Sequence, residues 1–175
     1  MNRRLLLALA LLGLAGPAYA QEAGAWKPFQ ELSFLVGSWS GAGEGSGRIG
    51  GKVVSFTNEV PGVLLIYRGK TIFPALEGKA EETSQETGVF AYDGDKRKYE
   101  ATIFFSTGVW GTFDVEFGAD GTVRLVSSRL VNFAPGSRAR LSFTPKGPGE
   151  LAVLTELAAP GQDFAAFSSG KLTKK

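Results

Sequence analysis

The stretch FLVGSWSGAGEG, residues 34–45, sets a single tryptophan, Trp39, into a run of glycines. The glycines that share its phase are Gly37, Gly41, Gly43 and Gly45. Alternate residues of a β-strand face the same side, so one face of this segment carries the indole ring and little else. Glycine lets a strand bend and lets a neighbouring backbone approach closely. We therefore expect a strand that enters a closed β-barrel, with Trp39 filling the space at one end.

The residues just before this strand have the apolar spacing of a helix. In WKPFQELSFLVG, residues 26–37, the apolar side chains that fall on one side are Phe29, Leu32, Leu35 and Val36. Lys27-Pro28 provides a start signal and Gly37 a stop signal. The segment predicts a short N-terminal helix or 3₁₀ turn that plugs the barrel beside the first strand.

The first twenty residues have the pattern of a secretory signal peptide. Two arginines precede a short apolar run, and the small residues Ala18 and Ala20 follow it. The apolar run is too short to span a membrane, and no cysteine follows Ala20 to carry a lipid anchor. We expect cleavage of residues 1–20 and export of residues 21–175 to the periplasm or the extracellular space as one domain, without membrane insertion.

Downstream of residue 45, short β-rich segments alternate with turn signals. Including the first segment, they are residues 38–45, 51–60, 63–73, 86–93, 97–105, 109–117, 122–130, 137–145, 150–157 and 163–172. The polar stretch LEGKAEETSQ, residues 76–85, predicts the longest loop or weakly structured stretch. The connections are too short for crossover helices, so the strands must be antiparallel. Each clear strand has one apolar face, which favours an all-β, closed, up-and-down barrel of about nine or ten strands.

The composition excludes most catalytic and metal-binding chemistry. The chain has no histidine and no cysteine, and its one methionine is Met1. Imidazole or thiolate metal sites, cysteine nucleophiles, Ser-His-Asp triads and disulfides are therefore absent. Of 19 basic residues, Arg3 and Arg4 lie in the signal peptide, which leaves as many basic as acidic residues in the mature chain. We expect no nucleic-acid partner, no metal, no cofactor and no catalytic residue.

The FLVGSWSGAGEG strand resembles the Gly-x-Trp strand of the calycins, which include lipocalins, fatty-acid-binding proteins and nitrobindins. The spacing Gly37-x-Trp39-x-Gly41-x-Gly43 is especially similar to that of nitrobindin-like proteins. With GVFAYDGDKRKYEATIFF, VWGTF and ADGTVRL, the layout also resembles a family of uncharacterised, secreted, lipocalin-like bacterial proteins. The resemblance implies a barrel with an internal cavity. Nitrobindins bind haem through a histidine late in the chain; since none is present here, only a tyrosine-ligated variant of haem binding is left.

The hypothesis from these observations is a monomeric or weakly associating barrel that binds a small apolar molecule in its lumen. The pocket candidates are Trp39, Leu65, Tyr67, Tyr99, Phe105 and Phe113. Tyr99 begins the apolar face of its strand, so its hydroxyl is a candidate hydrogen-bonding group inside the pocket. Two alternatives stay open. One is a filled barrel that acts through its outer surface in the cell envelope. The other is an isomerase-type or cofactor-using enzyme, which requires a buried acid or tyrosine in the lumen.

Overall fold

A computed structural model describes residues 29–45 and 47–175 as a single closed barrel. The strands are β1 Gly37–Gly45, β2 Arg48–Val60, β3 Leu64–Phe73, β4 Glu82–Asp93, β5 Lys98–Phe105, β6 Trp110–Phe117, β7 Val123–Val131, β8 Arg138–Gly147, β9 Glu150–Ala158 and β10 Ala165–Lys174. The predicted signal peptide and Lys27-Pro28 lie outside the described residues. Within them, no helix is long and apolar enough to cross a membrane.

Every strand pairs antiparallel with the strands that precede and follow it in the chain. Pairing of β1 with β10, from Trp39 opposite Lys174 to Gly45 opposite Ser168, closes the barrel. The predicted all-β, antiparallel, up-and-down barrel is confirmed, with ten strands. Because the hairpins alternate, one end carries the connections after β1, β3, β5, β7 and β9; we call it the open end. The opposite end, where β1 begins and β10 finishes, is the closed end.

Of the two alternatives predicted for the segment before β1, a short helix and a 3₁₀ turn, the described residues show the 3₁₀ turn, Ser33–Leu35. Phe29 has a φ of 66°, which no α-helical residue adopts. The hydrogen bonds that follow span three residues, as in Leu32 N–H to Phe29 O at 3.1 Å and Leu35 N–H to Leu32 O at 3.0 Å. The turn still buries its apolar side chains, Phe29, Leu32 and Leu35, under the closed end.

The closed half of the lumen is packed solid by inward-facing side chains. Phe56 lies at its centre, with ring centroids 5.1 Å from Tyr67, 5.2 Å from Phe143 and 6.1 Å from Phe90. These aromatic rings are fully or almost fully buried. Tilted and edge-to-face pairs at these separations add to the hydrophobic gain of burial. The closed half therefore supplies most of the core.

The predicted loop over residues 76–85 is wrong in its second part, because β4 begins at Glu82. From there the strand pairs with β3, with Glu82 opposite Phe73 and Ser84 opposite Thr71. The inward-facing residues of this part of β4 are polar, so the apolar alternation typical of a strand is missing. Backbone pairing with β3 decides the structure here, and the polar side chains face the lumen.

The barrel wall is weakest between β7 and β8. These strands pair only over residues 123–126 and 140–143, although both continue toward the open end. Just beyond, the Ser127 hydroxyl accepts a hydrogen bond from Ala139 N–H at 2.9 Å, in place of a backbone partner. From there to the open end the two strands are not paired with each other, and we call this unpaired part of the wall the gap.

Candidate functional site

The open half of the lumen contains a cavity of about 310 Å³. Its wall is mainly apolar and aromatic, and its main apolar members are Phe73, Phe105, Leu130, Phe133, Leu141 and Phe167. Phe133 and Phe167 lie at the mouth and are 39% and 56% exposed. Leu130 and Ala139 place part of the cavity against the gap between β7 and β8. The volume lies at the lower limit of the roughly 300–1,000 Å³ found for small-molecule sites.

Three polar side chains form one side of the cavity floor: Lys52 of β2, Thr71 of β3 and Glu86 of β4. Lys52 Nζ lies 3.3 Å from Glu86 Oε1 and 3.4 Å from Thr71 Oγ1. The side chains of Lys52 and Glu86 are only 7% and 14% exposed. Removing two charges from water costs several kcal/mol per ion before their attraction offsets it. The floor of this mainly apolar cavity therefore carries a largely buried ion pair.

Glycines on three strands make room for this ion pair. A Cβ on Gly43 would stand 3.0 Å from Lys52 Cβ, and one on Gly170 would stand 3.0 Å from Lys52 Cδ. A Cβ on Gly69 would stand 2.5 Å from Glu86 Oε1. The bare strand face that the sequence shows around Trp39 thus serves a second purpose. At Gly43, the missing side chain leaves space for the aliphatic stem of Lys52.

A fourth polar group, the Tyr67 hydroxyl, lies behind Glu86. A Cβ added to Gly69 would lie 2.7 Å from the Tyr67 hydroxyl and 2.5 Å from Glu86 Oε1, so the two groups flank this glycine. The hydroxyl is buried, and its contact with Glu86 is not a well-formed hydrogen bond. Burial raises the pKa of Tyr67 well above its usual value, and the negative charge of Glu86 and the interaction of its carboxylate with the hydroxyl raise it further. Tyr67 is therefore a neutral proton donor that faces the Glu86 carboxylate.

The rim of the cavity is held by Arg48, at the start of β2. Its guanidinium makes an ion pair with Glu82 and donates a hydrogen bond to Ala80 O at 3.1 Å. It also lies 5.2 Å from the ring centroid of Phe73. These contacts tie the loop of residues 74–81 to the barrel. The carboxylate of Glu44, near the end of β1, lies on the outer face of the barrel, because Glu44 pairs with the exposed Ile49.

The six predicted pocket residues lie at three levels of the barrel. Phe105 lines the cavity. Leu65, Tyr67 and Phe113 are buried in the packed half, with Tyr67 directed toward the cavity floor. Trp39 and Tyr99 lie at the closed end, away from the cavity. The structure therefore brings Phe105 and the Tyr67 hydroxyl near one another and leaves the other four residues apart from them.

At the closed end, Trp39 and Tyr99 hold the N-terminal turn against the barrel. Trp39 Nε1 donates to Leu35 O at 2.8 Å, and Lys174 Nζ lies 5.2 Å from the centroid of its indole ring. The Tyr99 hydroxyl accepts from Phe29 N–H and donates to Glu31, both at 2.9 Å. Burial, opposed by the Phe29 N–H and reinforced by Glu31, raises the pKa of Tyr99 to about 12.

Three residues of the cavity floor were not identified from the sequence: Lys52, Thr71 and Glu86. For Lys52 and Glu86, the alternation along the strand indicates a side chain that faces the lumen. Lys52 falls in step with Val54 and Phe56, which face the core. Glu86 falls in step with Gly88 and Phe90. A charged residue that continues an apolar face is a candidate for a buried functional group.

No protein-family model matches the chain, and no curated protein matches it. Among solved structures, the barrel is similar to the crystal structure of Rv2717c from M. tuberculosis, with a TM-score of 0.60 and 21% sequence identity. The matched region covers 84% of this chain and 96% of that chain. At this identity the similarity shows a shared barrel fold, and the resemblance to lipocalin-like and nitrobindin-like families stays a prediction.

Proposed function

We propose that this protein binds a small, mostly apolar molecule in the open half of its barrel. The observation that carries the proposal is the cavity of about 310 Å³, whose wall is largely aromatic and aliphatic. Burial of apolar ligand surface supplies affinity at about 25 cal/mol per Å² before the costs of association. A few polar groups at the floor orient the bound molecule. The filled-barrel alternative does not account for a cavity of this size.

The proposed route of entry for a ligand is the open end of the barrel. The exposed rings of Phe133 and Phe167 flank the mouth, and the gap between β7 and β8 opens toward Leu130. An apolar molecule that meets this rim can pass into the lumen without unfolding of the packed half. Sequestration and release of a ligand then require movement only at the open end.

A cavity-filling substitution tests the proposal. Thr155 of β9 lines the cavity, whereas the next residue back, Leu154, faces the other side of the strand. Thr155→Phe should weaken binding of the neutral apolar dye N-phenyl-1-naphthylamine at least tenfold, as measured by its fluorescence. Leu154→Phe, the matched control, should leave binding unchanged. Equal binding by both variants would place the dye outside the lumen and contradict the proposal.

The proposal extends to an exported, lipocalin-like protein, on the basis of the signal-peptide pattern and the family resemblance. We expect the exported fraction of the native host to contain a chain that begins at Gln21, as measured by intact mass. Native mass spectrometry of the same material should show an additional small mass that denaturation removes. A chain that retains residues 1–20 in the cytoplasm would contradict the export part alone.

An isomerase-type enzyme is the second candidate, and one observation favours it. Tyr67, a neutral proton donor, and the Glu86 carboxylate lie together at the end of an apolar cavity. A proton donor beside a carboxylate is the arrangement that acid–base isomerisation requires. Enzyme activity is distinguished from binding by NMR of ligand recovered after incubation: a carrier returns the compound unchanged, whereas an isomerase returns a mixture, and Tyr67→Phe abolishes the conversion.

A further inference from the structure

The charges at the cavity floor restrict the class of ligand. Lys52 and Glu86 already face each other at 3.3 Å. Both are shielded from water, so a charged ligand group placed beside them interacts with both at short range. A carboxylate gains attraction from Lys52 and suffers repulsion from Glu86, while an ammonium group does the reverse. In either case the third charge also loses its hydration.

Both members of the ion pair keep unused hydrogen-bonding capacity. The Lys52 ammonium has three N–H donors, and its partners among the described residues are Glu86 Oε1 and Thr71 Oγ1. The Glu86 carboxylate has several acceptor positions, of which Lys52 takes one. A group that both accepts and donates can bond to Lys52 and Glu86 at once and brings no charge into the cavity.

The mouth adds little to this discrimination. Glu82 lines it and is balanced by Arg48. Glu44 lies on the outer face of β1, since its neighbours Gly43 and Gly45 are buried and it pairs with Ile49, which is 69% exposed. An anionic ligand is therefore repelled mainly by Glu86 at the floor.

We infer that the ligand class is an uncharged, mostly apolar molecule with a terminal hydroxyl or primary amide group, bound between Lys52 and Glu86. The cavity discriminates against apolar carboxylates such as fatty acids. This inference rests on the proposed function and specifies the ligand of the same cavity. It assigns the role of recognition to the ion pair rather than to the aromatic wall.

Four compounds with the same eight-carbon chain test the inference on the wild-type protein: 1-octanol, octanamide, octylamine and octanoate. Displacement of N-phenyl-1-naphthylamine at pH 7 gives their relative affinities. We expect octanol and octanamide to bind at least tenfold more tightly than octanoate and at least tenfold more tightly than octylamine, which is a cation at this pH. Octanoate binding as tightly as octanol would overturn the inference. If neither the dye nor any of the four compounds binds, the proposed function fails, and the inference with it.

Charge-neutral variants identify the residues responsible. Glu86→Gln leaves Lys52 without its partner, so octanoate should gain at least tenfold relative to octanol. Lys52→Met should shift the ranking toward octylamine in the same way. Glu59→Gln, an exposed position at the closed end of β2, is the control and should leave the ranking unchanged. Unchanged ranking in both floor variants would overturn the role of the ion pair. Cooperative urea unfolding confirms that each variant is folded, and the wild-type ranking decides the ligand class if one is not.

Discussion

Substitution of Gly69 by alanine tests whether the glycines hold the ion pair in place. The added Cβ would stand 2.5 Å from Glu86 Oε1, 2.6 Å from Glu86 Cγ and 2.7 Å from the Tyr67 hydroxyl, against ordinary contacts of 3.4–4 Å. The Tyr67 ring is fully buried and packed against other rings, so it cannot yield. Glu86 lines the cavity and has room to move. We therefore expect its carboxylate to rotate into the cavity and away from Lys52.

The expected loss of stability follows from overpacking of a closely packed interior, which costs about 1–3 kcal/mol. Gly51→Ala is the matched control, because Gly51 is an exposed glycine on β2 and its Cβ would meet nothing within 4 Å. Neither glycine has a positive φ, so both substitutions bring the same gain of about 0.5–1 kcal/mol from reduced backbone freedom. The difference between the two variants isolates the clash at Gly69.

Urea unfolding of both variants gives this difference directly. We expect Gly69→Ala to be less stable than Gly51→Ala by about 1–3 kcal/mol. Binding of N-phenyl-1-naphthylamine should also weaken in Gly69→Ala, since the displaced Glu86 side chain occupies cavity volume. Equal stability of the two variants, together with unchanged dye binding, would refute the role assigned to Gly69.

Three further predictions concern the floor and the gap in the wall. Tyr67→Phe removes a buried hydroxyl that makes no well-formed hydrogen bond, so urea unfolding at pH 8 should show no loss of stability and a gain of up to about 1 kcal/mol. Folding raises the pKa of Tyr67, so above the usual tyrosine pKa the hydroxyl ionises more readily in the unfolded chain than in the folded one. The free energy of unfolding of the wild type therefore declines as the pH rises beyond that value. The phenylalanine variant lacks this decline and should resist unfolding at pH 11 better than the wild type. Ser127→Ala should speed hydrogen exchange of the Ala139 amide by about 2- to 10-fold and leave exchange in the paired part of β7 unchanged. Equal Ala139 exchange rates in the variant and the wild type would contradict the hydrogen bond across the gap. Lys52→Met should lower the free energy of unfolding by about 3 kcal/mol, whereas Lys52→Met/Glu86→Gln should come within about 1 kcal/mol of wild type; a double variant as unstable as the single one would refute the pairing.

The packed half of the barrel was predictable because its sequence follows a single rule. Tyr99, Ala101 and Ile103 alternate with polar residues along β5, and all three are buried as the alternation predicts. The strand count and the up-and-down order follow from such segments and from the short turns between them. In these strands the inward face is apolar, so the sequence pattern and the burial pattern coincide.

The cavity floor was not predictable by the same rule, because its inward face is polar. Glu82, Ser84 and Glu86 broke the alternation at the start of β4, and the segment was assigned in part to a loop. Lys52 lies in the predicted strand 51–60, but its direction toward the lumen was not among the predictions. Before β1, apolar spacing left a short helix and a 3₁₀ turn open, because the left-handed conformation of Phe29 cannot be read from that spacing.

The energetic balance of the floor explains why these exceptions occur together. Glycine within a strand destabilises a protein by about 0.5–1 kcal/mol relative to alanine, and Gly43, Gly69 and Gly170 all lie within strands. The Lys52–Glu86 pair that they accommodate gives little net stability, because desolvation offsets the attraction of the two charges. Neither the glycines nor the ion pair is therefore explained by the stability of the barrel. Both are explained if the cavity binds the proposed ligand, which requires hydrogen-bonding groups at the floor and an apolar wall above them. The positions where the sequence departs from the rule for a packed barrel are those that shape the cavity.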